Sequence, residues 1–205
     1  ISSGLVGSEM CIRDSTWIEW IKVIEKIRFK KIYRIIHIIL FLIYLLMAFI
    51  VCFNVFIIDK YFFLTILMIC VFSDVGGYVF GKTFGGKKLT RISPNKTISG
   101  SIGSFILSYI GFFIIYLYFS DLLFVRLKIE ALVFIPFFIS LICQLGDLFI
   151  SYYKRRAKIK NTGNLIPGHG GLLDRIDGSI FALPIGFIII SCLLYTSPSP
   201  RDLMR

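Results

Sequence analysis

From Ile35 onward, apolar runs close to membrane-spanning length alternate with short basic segments, and that recurrence limits the fold more than any other feature. A helix needs about 20 mostly apolar residues to cross the hydrocarbon core of a bilayer. The stretches 35–58, 61–81, 102–119, 131–150 and 178–191 are read as candidates. Lipid offers no partner for backbone N–H and C=O groups, so each stretch must close its own hydrogen bonds as a helix. The expectation is an all-α, polytopic integral membrane helical bundle with about five spans. Only 17% of the residues are charged, against about 25% in a typical soluble domain.

The net charge of +11 does not point to nucleic acid, because the basic residues sit between the apolar runs. They follow topology instead. The loop 82–101 carries Lys82, Lys87, Lys88, Arg91 and Lys96 with no acidic residue. The loop 151–177 carries Lys154, Arg155, Arg156, Lys158, Lys160 and Arg175 against Asp174 and Asp177. Two spans separate these loops, so both fall on one side, together with the basic segment 16–34. Asp59-Lys60 and the near-neutral 120–130 loop fall on the other. The positive-inside tendency assigns the basic side to the cytoplasm. Within 16–34, the spacing of Trp17, Ile18, Ile21, Ile24 and Ile27 suits an amphipathic helix at the interface, or the tail of a further helix. The five cysteines contain no C-x-x-C pair and no metal-ligand spacing.

The two ends read as foreign. Leu5–Asp14 back-translates into DNA whose complementary strand, in a shifted frame, encodes Cys192–Arg201. Ends encoded by opposite strands of one oligonucleotide resemble a sequencing adaptor translated in both directions. Such segments are set aside before fold reasoning. The expected division is 1–15 and 192–205 as adaptor-derived ends, with 16–191 as native sequence lacking both true termini.

Two motifs carry chemistry. In the first, Asp147, Ser151, Lys154 and Lys158 are spaced i, i+4, i+7 and i+11, which puts them on one helix face where the helix leaves the membrane. A Gly-rich turn, Pro167-Gly-His169-Gly170-Gly171, leads to Asp174, Arg175 and Asp177. Carboxylates at two helix ends can jointly hold Mg²⁺, which takes oxygen ligands and commonly one or two carboxylates plus phosphate oxygens. Glycines between them let backbone approach a phosphate closely. His169 is either a ligand or a hydrogen-bonding residue of the turn. In the second motif, Asp74 lies within an apolar run, where an ionised carboxylate costs about 2.5–3.5 kcal/mol on insertion scales and needs a partner or a cavity. Lys87, Lys88 and Lys96 follow it. Gly76–Thr83 also satisfies the P-loop pattern G-x-x-x-x-G-K-T. That pattern binds phosphate only between a strand and a helix, and here it continues a membrane helix, so the P-loop reading is rejected.

The stretch Ser151–Asp177 resembles the signature of the CDP-diacylglycerol synthase (phosphatidate cytidylyltransferase) family: S-x-x-K-R, K-D after four residues, then P-x-H-G-G-x-x-D-R-x-D. Ser151, Lys154, Arg155, Lys160, Gly163, Pro167, His169, Gly170, Gly171, Asp174, Arg175 and Asp177 match it. Asn161 stands where the family has Asp. The segment from Asp74 to Thr97 is also similar to the family, except that Ile98 and Ser99 replace its usual Trp and Glu or Gln. The resemblance implies that 16–191 is a membrane-embedded cytidylyltransferase domain converting CTP and phosphatidate into CDP-diacylglycerol and pyrophosphate. It implies Mg²⁺ on Asp147 and Asp174, with Asp177 in support. Lys154, Arg155 and Lys96 would neutralise phosphate charge, and Asp74 would orient a lysine or a metal. Lys87, Ser151, Lys160, His169, Gly170, Gly171 and Arg175 complete the expected phosphate-binding set. The implied setting is a bacterial inner membrane with the site facing the cytoplasm. CTP, phosphatidate and membrane lipid are the expected partners, nucleic acid is not, and a homodimer is left open. The alternatives are a cytidylyltransferase for another lipid phosphate and a transporter using Asp74 and Asp147 as intramembrane carboxylates.

Overall fold

The computed structural model describes residues 2–58, 60–90, 93, 96–119, 129–163 and 170–195. Its helices are α1 (Ser2–Lys26), α2 (Lys31–Ile58), α3 (Lys60–Phe84), α4 (Ile98–Phe119), α5 (Ile129–Arg156), the single turn α6 (Leu173–Ile176) and α7 (Ser179–Tyr195). Among the described residues the only extended pairing is an isolated antiparallel bridge between Lys88 and Thr97. The protein is therefore an all-α membrane bundle. Helices α2 to α5 contain four segments long and apolar enough to cross a bilayer. The expected fifth span corresponds to α7.

Apolar side chains on α2 face outward, among them Ile32, Ile35, Ile36, Ile39, Leu40, Ile43, Met47 and Ile50. A soluble monomer rarely exposes so continuous an apolar surface, and lipid is its natural solvent. The core has two parts. One joins Ile66, Ile69 and Cys70 of α3 to Phe112 of α4, Ile135, Ile139 and Cys143 of α5, and Ala182 and Ile190 of α7. The other joins Trp20, Val23, Ile24 and Ile27 of α1 to Phe41 and Leu45 of α2, Ile150 of α5 and Leu173 of α6. Trp20 stacks on Phe41 with ring centroids 4.1 Å apart.

Helices α3 and α4 approach through small residues, the usual device for close packing in lipid. A Cβ at Gly76 would lie 2.8 Å from the carbonyl carbon of Gly103, and one at Gly103 would overlap the Phe80 ring. A hydroxyl seals this seam, Ser104 donating to the Ser73 carbonyl at 2.7 Å, and Ser73 shares a 2.9 Å bond with Ser140 of α5. Gly76–Thr83 lies wholly within α3, which removes the strand-to-helix turn a P-loop requires.

One expectation is corrected, at Lys158. In the segment 16–34, α1 packs against α2, α5 and α6. Its buried stripe is Thr16, Glu19, Trp20, Val23, Ile24 and Ile27, while Ile18 is 50% exposed. Lys158 does not continue the face of Asp147, Ser151 and Lys154. Helix α5 ends at Arg156, and Lys158 takes a left-handed φ of 56°. The amides of Ile159 and Lys158 bond back to the carbonyls of Lys154 and Arg155 at 3.0 Å each, the pairing of a Schellman stop.

Candidate active site

A cavity of about 320 Å³ opens where the C-terminal halves of α3 and α5 meet the start of α4 and the α6 turn. Its charged lining is Asp74 from α3, Lys96 from the segment before α4, Asp147 from α5, and Asp174, Arg175 and Asp177 from the α6 region. Gly77, Gly100, Ser101, Ser104 and Gln144 also line it. The basic segments before α4 and after α5 therefore share one end of the bundle. The α1 helix reaches the same end, since Glu19 contacts Leu172.

Between α3 and α4, residues 87–89 and 96–98 pair as the two arms of a small hairpin. Gly85 and Gly86 adopt positive φ, where glycine carries no Cβ penalty. Leu89 N–H donates to the Lys96 carbonyl at 2.8 Å and Ile98 N–H to the Lys87 carbonyl at 3.0 Å. Thr97 caps α4 by accepting the Gly100 N–H at 3.1 Å. Ser99, at the position where the resembled family has Glu or Gln, donates its hydroxyl to the Gly85 carbonyl and ties the hairpin down. The result carries Lys96 over the cavity, where its ammonium pairs with Asp147.

On the other side the chain turns back after α5. Lys154 Nζ lies 2.9 Å from Asp174 Oδ1 and 3.7 Å from Asp177 Oδ2. Asp174 Oδ2 accepts the Thr162 N–H at 2.8 Å and the Gly171 N–H at 3.1 Å, and the Thr162 hydroxyl oxygen stands 3.1 Å from it. Burial pushes the Asp174 carboxyl up, but Lys154 and the Thr162 and Gly171 amides outweigh it and hold the group below its usual range. Asp177 behaves in the opposite way. Burial, then the facing Asp147 carboxylate, raise it against the pull of Lys154. Ser151 donates to Asp147 Oδ1 at 3.3 Å.

Asp147, Asp174 and Asp177 are thus brought to one cavity with Asp74, Lys96 and Arg175, and Lys154 braces two of the carboxylates. Ser151 reaches the cavity through Asp147. Arg155 and Lys160 are exposed beside it and Lys87 is exposed on the hairpin; none of these three lines the cavity. Gly170 and Gly171 are buried, and the Gly171 N–H is engaged by Asp174. His169 lies outside the described residues. Sequence reasoning missed Glu19, Thr162 and Gln144. Glu19 is 4% exposed and accepts from the Leu172 and Leu173 amides at 2.9 Å each and from the Thr162 hydroxyl at 2.8 Å.

Among the described residues no group of three or more His, Cys, Asp or Glu side chains forms a ready metal cage. A Mg²⁺ bound together with substrate phosphates does not need one, since it commonly uses one or two protein carboxylates. The donor set fits that mode. Asp147 and Asp177 face one another with Asp74 nearby, and converging carboxylates in a half-buried cavity favour a cation between them.

This geometry gathers carboxylates and lysines at helix ends beside a lipid-facing bundle. The model of the cytidylyltransferase family matches residues 7–193, and the chain belongs to that family. It is 44% identical over 119 residues to a phosphatidate cytidylyltransferase of Staphylococcus haemolyticus, covering 58% of this chain and 44% of that one. The protein of that name from Rickettsia bellii is 44% identical over 126 residues, covering 57% of this chain and 52% of the relative. That from Bacillus subtilis is 35% identical over 148 residues, covering 68% and 54%. The chain spans about half the length of the curated relatives it matches.

Proposed function

We propose that the full-length protein containing this segment transfers CMP from CTP to phosphatidate, giving CDP-diacylglycerol and pyrophosphate. The observation that carries the reading is the convergence of Asp147, Asp174 and Asp177, from two parts of the chain, on one cavity with Lys96 and Lys154. The relatives' names support it. An oxygen of the lipid phosphate attacks the α-phosphorus of CTP, and the bond to the β,γ-pyrophosphate breaks. A phosphate monoester is already an anionic nucleophile near neutral pH, so no Ser–His or Cys–His pair is needed. The work left to the protein is to bring two polyanions together in line.

Asp147 and Asp177, which face one another, are the residues that would hold Mg²⁺, with Asp174, whose oxygens meet Lys154 and the Thr162 and Gly171 amides, in support. The cation would supply charge neutralisation and orientation to the phosphates. Lys96 and Arg175, which both line the cavity, would meet phosphate oxygens, and Lys154 fixes Asp174 and Asp177. The basic end of the bundle faces the cytoplasm of a bacterial inner membrane, so CTP enters from water and the lipid phosphate from the adjoining leaflet. Residues 16–191 are the native part of the chain, on the strength of the complementary coding of its ends.

The test is CTP-dependent formation of a CDP-lipid by the full-length protein, compared with Asp147→Asn and Asp174→Asn. Absence of product from the unmodified protein sinks the reading. Undiminished turnover in both variants removes the carboxylates from the mechanism.

A further inference from the structure

We propose that Glu19 is a positioning residue of the active site: from α1 it sets the place of the α6 turn, and with it the orientation of Asp174 toward Lys154. The inference rests on the proposed reaction, but its structural half can be judged alone. Glu19 lies outside both sequence motifs, more than 140 residues before the groups it binds, which stand 143, 153 and 154 positions away.

The carboxylate is buried in the stripe of α1 that also holds Thr16, Trp20 and Val23. A carboxylate removed from water must have its hydration replaced by hydrogen bonds. Glu19 accepts three. Oε1 takes the Leu172 N–H, and Oε2 takes the Leu173 N–H and the Thr162 hydroxyl. The first two are amides at the start of α6, which its own residues leave uncapped. The Thr162 oxygen stands between two carboxylates, 2.8 Å from Glu19 Oε2 and 3.1 Å from Asp174 Oδ2. Glu19 thus takes the Leu172 and Leu173 amides and the Thr162 hydroxyl, while Asp174 takes the neighbouring Gly171 and Thr162 amides.

The glycines report the same design. A Cβ on Gly163 would lie 2.7 Å from Glu19 Oε1, and a Cβ on Gly171 would overlap both Glu19 Oε2 and the Thr162 hydroxyl. Two glycines of the signature stretch thus have no side chain where the carboxylate of Glu19 stands. Their smallness serves this clamp, whatever else the turn binds. A merely structural buried acid would not need to share a hydroxyl with a residue of the site.

The variants are Glu19→Gln, Thr162→Ser and Thr162→Val in the full-length protein, with exposed Glu25→Gln on the same helix as the control. Three quantities are measured: turnover and KM with CTP and phosphatidate, thermal midpoint in detergent, and amide hydrogen exchange by segment. Glu19→Gln puts an NH₂ group against backbone donors. It is expected to lower kcat by about 10²-fold, the scale of an ångström-level misplacement, with KM for phosphatidate little changed. Exchange at residues 171–174 should quicken about tenfold while α3 and α4 keep their protection. Thr162→Ser should retain activity and Thr162→Val should follow Glu19→Gln; Glu25→Gln should behave as the unmodified protein. Unchanged exchange at 171–174, or unchanged kcat, overturns the proposal. So does a fall in kcat matched by a fall in thermal midpoint and by faster exchange throughout the bundle, which would make Glu19 a general fold residue. If the unmodified protein forms no CDP-lipid, the proposed reaction fails, while the exchange data still decide whether Glu19 holds the turn.

Discussion

At the α5–α6 corner, Asp174 is held by two backbone amides and Lys154. Across the same cavity Asp147 is met by side chains, Lys96 from the hairpin and Ser151 from its own helix. The side chain of Asp174 is 12% exposed and that of Asp147 27%. Backbone donors cannot rotate away, so the fold has fixed the first carboxylate before any substrate arrives. Lysine and serine can rotate, so the second can exchange partners at little cost. The proposed reaction, which brings two polyanions together and releases a charged product, gives a use to a fixed wall combined with an adjustable one.

The widest separation should come from asparagine at each position. Asp174→Asn removes an ion pair and turns an acceptor into a donor facing amides. Turnover should fall at least about 10³-fold, and stability should fall by roughly 2 kcal/mol, because Lys154 loses a partner in a half-buried setting. Asp147→Asn should lower turnover comparably while leaving the thermal midpoint within a degree or two. Equal destabilisation by both would erase the distinction. Activity and detergent melting curves on the same preparations decide it.

Next in size is Gly171→Ala. Its Cβ would strike Glu19 and Thr162, neither of which can give without releasing the turn. Overpacking of this kind costs about 1–3 kcal/mol, read from the melting curve. Gly85→Ala on the hairpin has open space around the new Cβ and a φ of 58°, so it should cost only about 1 kcal/mol. On the adjustable wall, Lys96→Gln should raise KM for CTP about tenfold with a smaller change in kcat, as expected when a cation binds ground state and transition state alike. A kcat effect without a KM effect would make Lys96 part of the fixed wall.

Much of the fold was legible because hydropathy is a property of composition, and lipid permits only helices over such runs. Helix ends were less so. Helix α3 runs on through Lys82 to Phe84 and α5 through Arg156, since a helix that has left the membrane still closes its own hydrogen bonds. Asp147, Asp174 and Asp177 stood out in the sequence as acids bracketing a Gly-rich turn. The pairing of Lys96 with Asp147 did not, because contacts between segments some 50 residues apart leave no local period. Glu19 was hidden for a related reason. On paper it is one charge among several on a basic amphipathic helix. Its one sequence trace is an acid on the stripe Thr16, Trp20, Val23, Ile27, where a helix buried on that face would otherwise be apolar.

The smallest effect tests how α5 hands the chain to the fixed wall. Lys158 occupies the left-handed position of the Schellman stop, where glycine is the usual residue. Its side chain is exposed, so the cost of lysine there is a matter of backbone. Left-handed geometry costs an L-residue about 1–2 kcal/mol, and glycine would remove that while losing about 0.4–1 kcal/mol through its freer unfolded chain. Lys158→Gly should therefore stabilise the protein by less than about 1 kcal/mol, with turnover unchanged, because the stop and the position of Lys154 are preserved. Lys158→Ala should gain nothing, since alanine keeps the Cβ. If both variants lost turnover without losing stability, the ammonium of Lys158 would be acting on substrate, and the active site would reach beyond the end of α5.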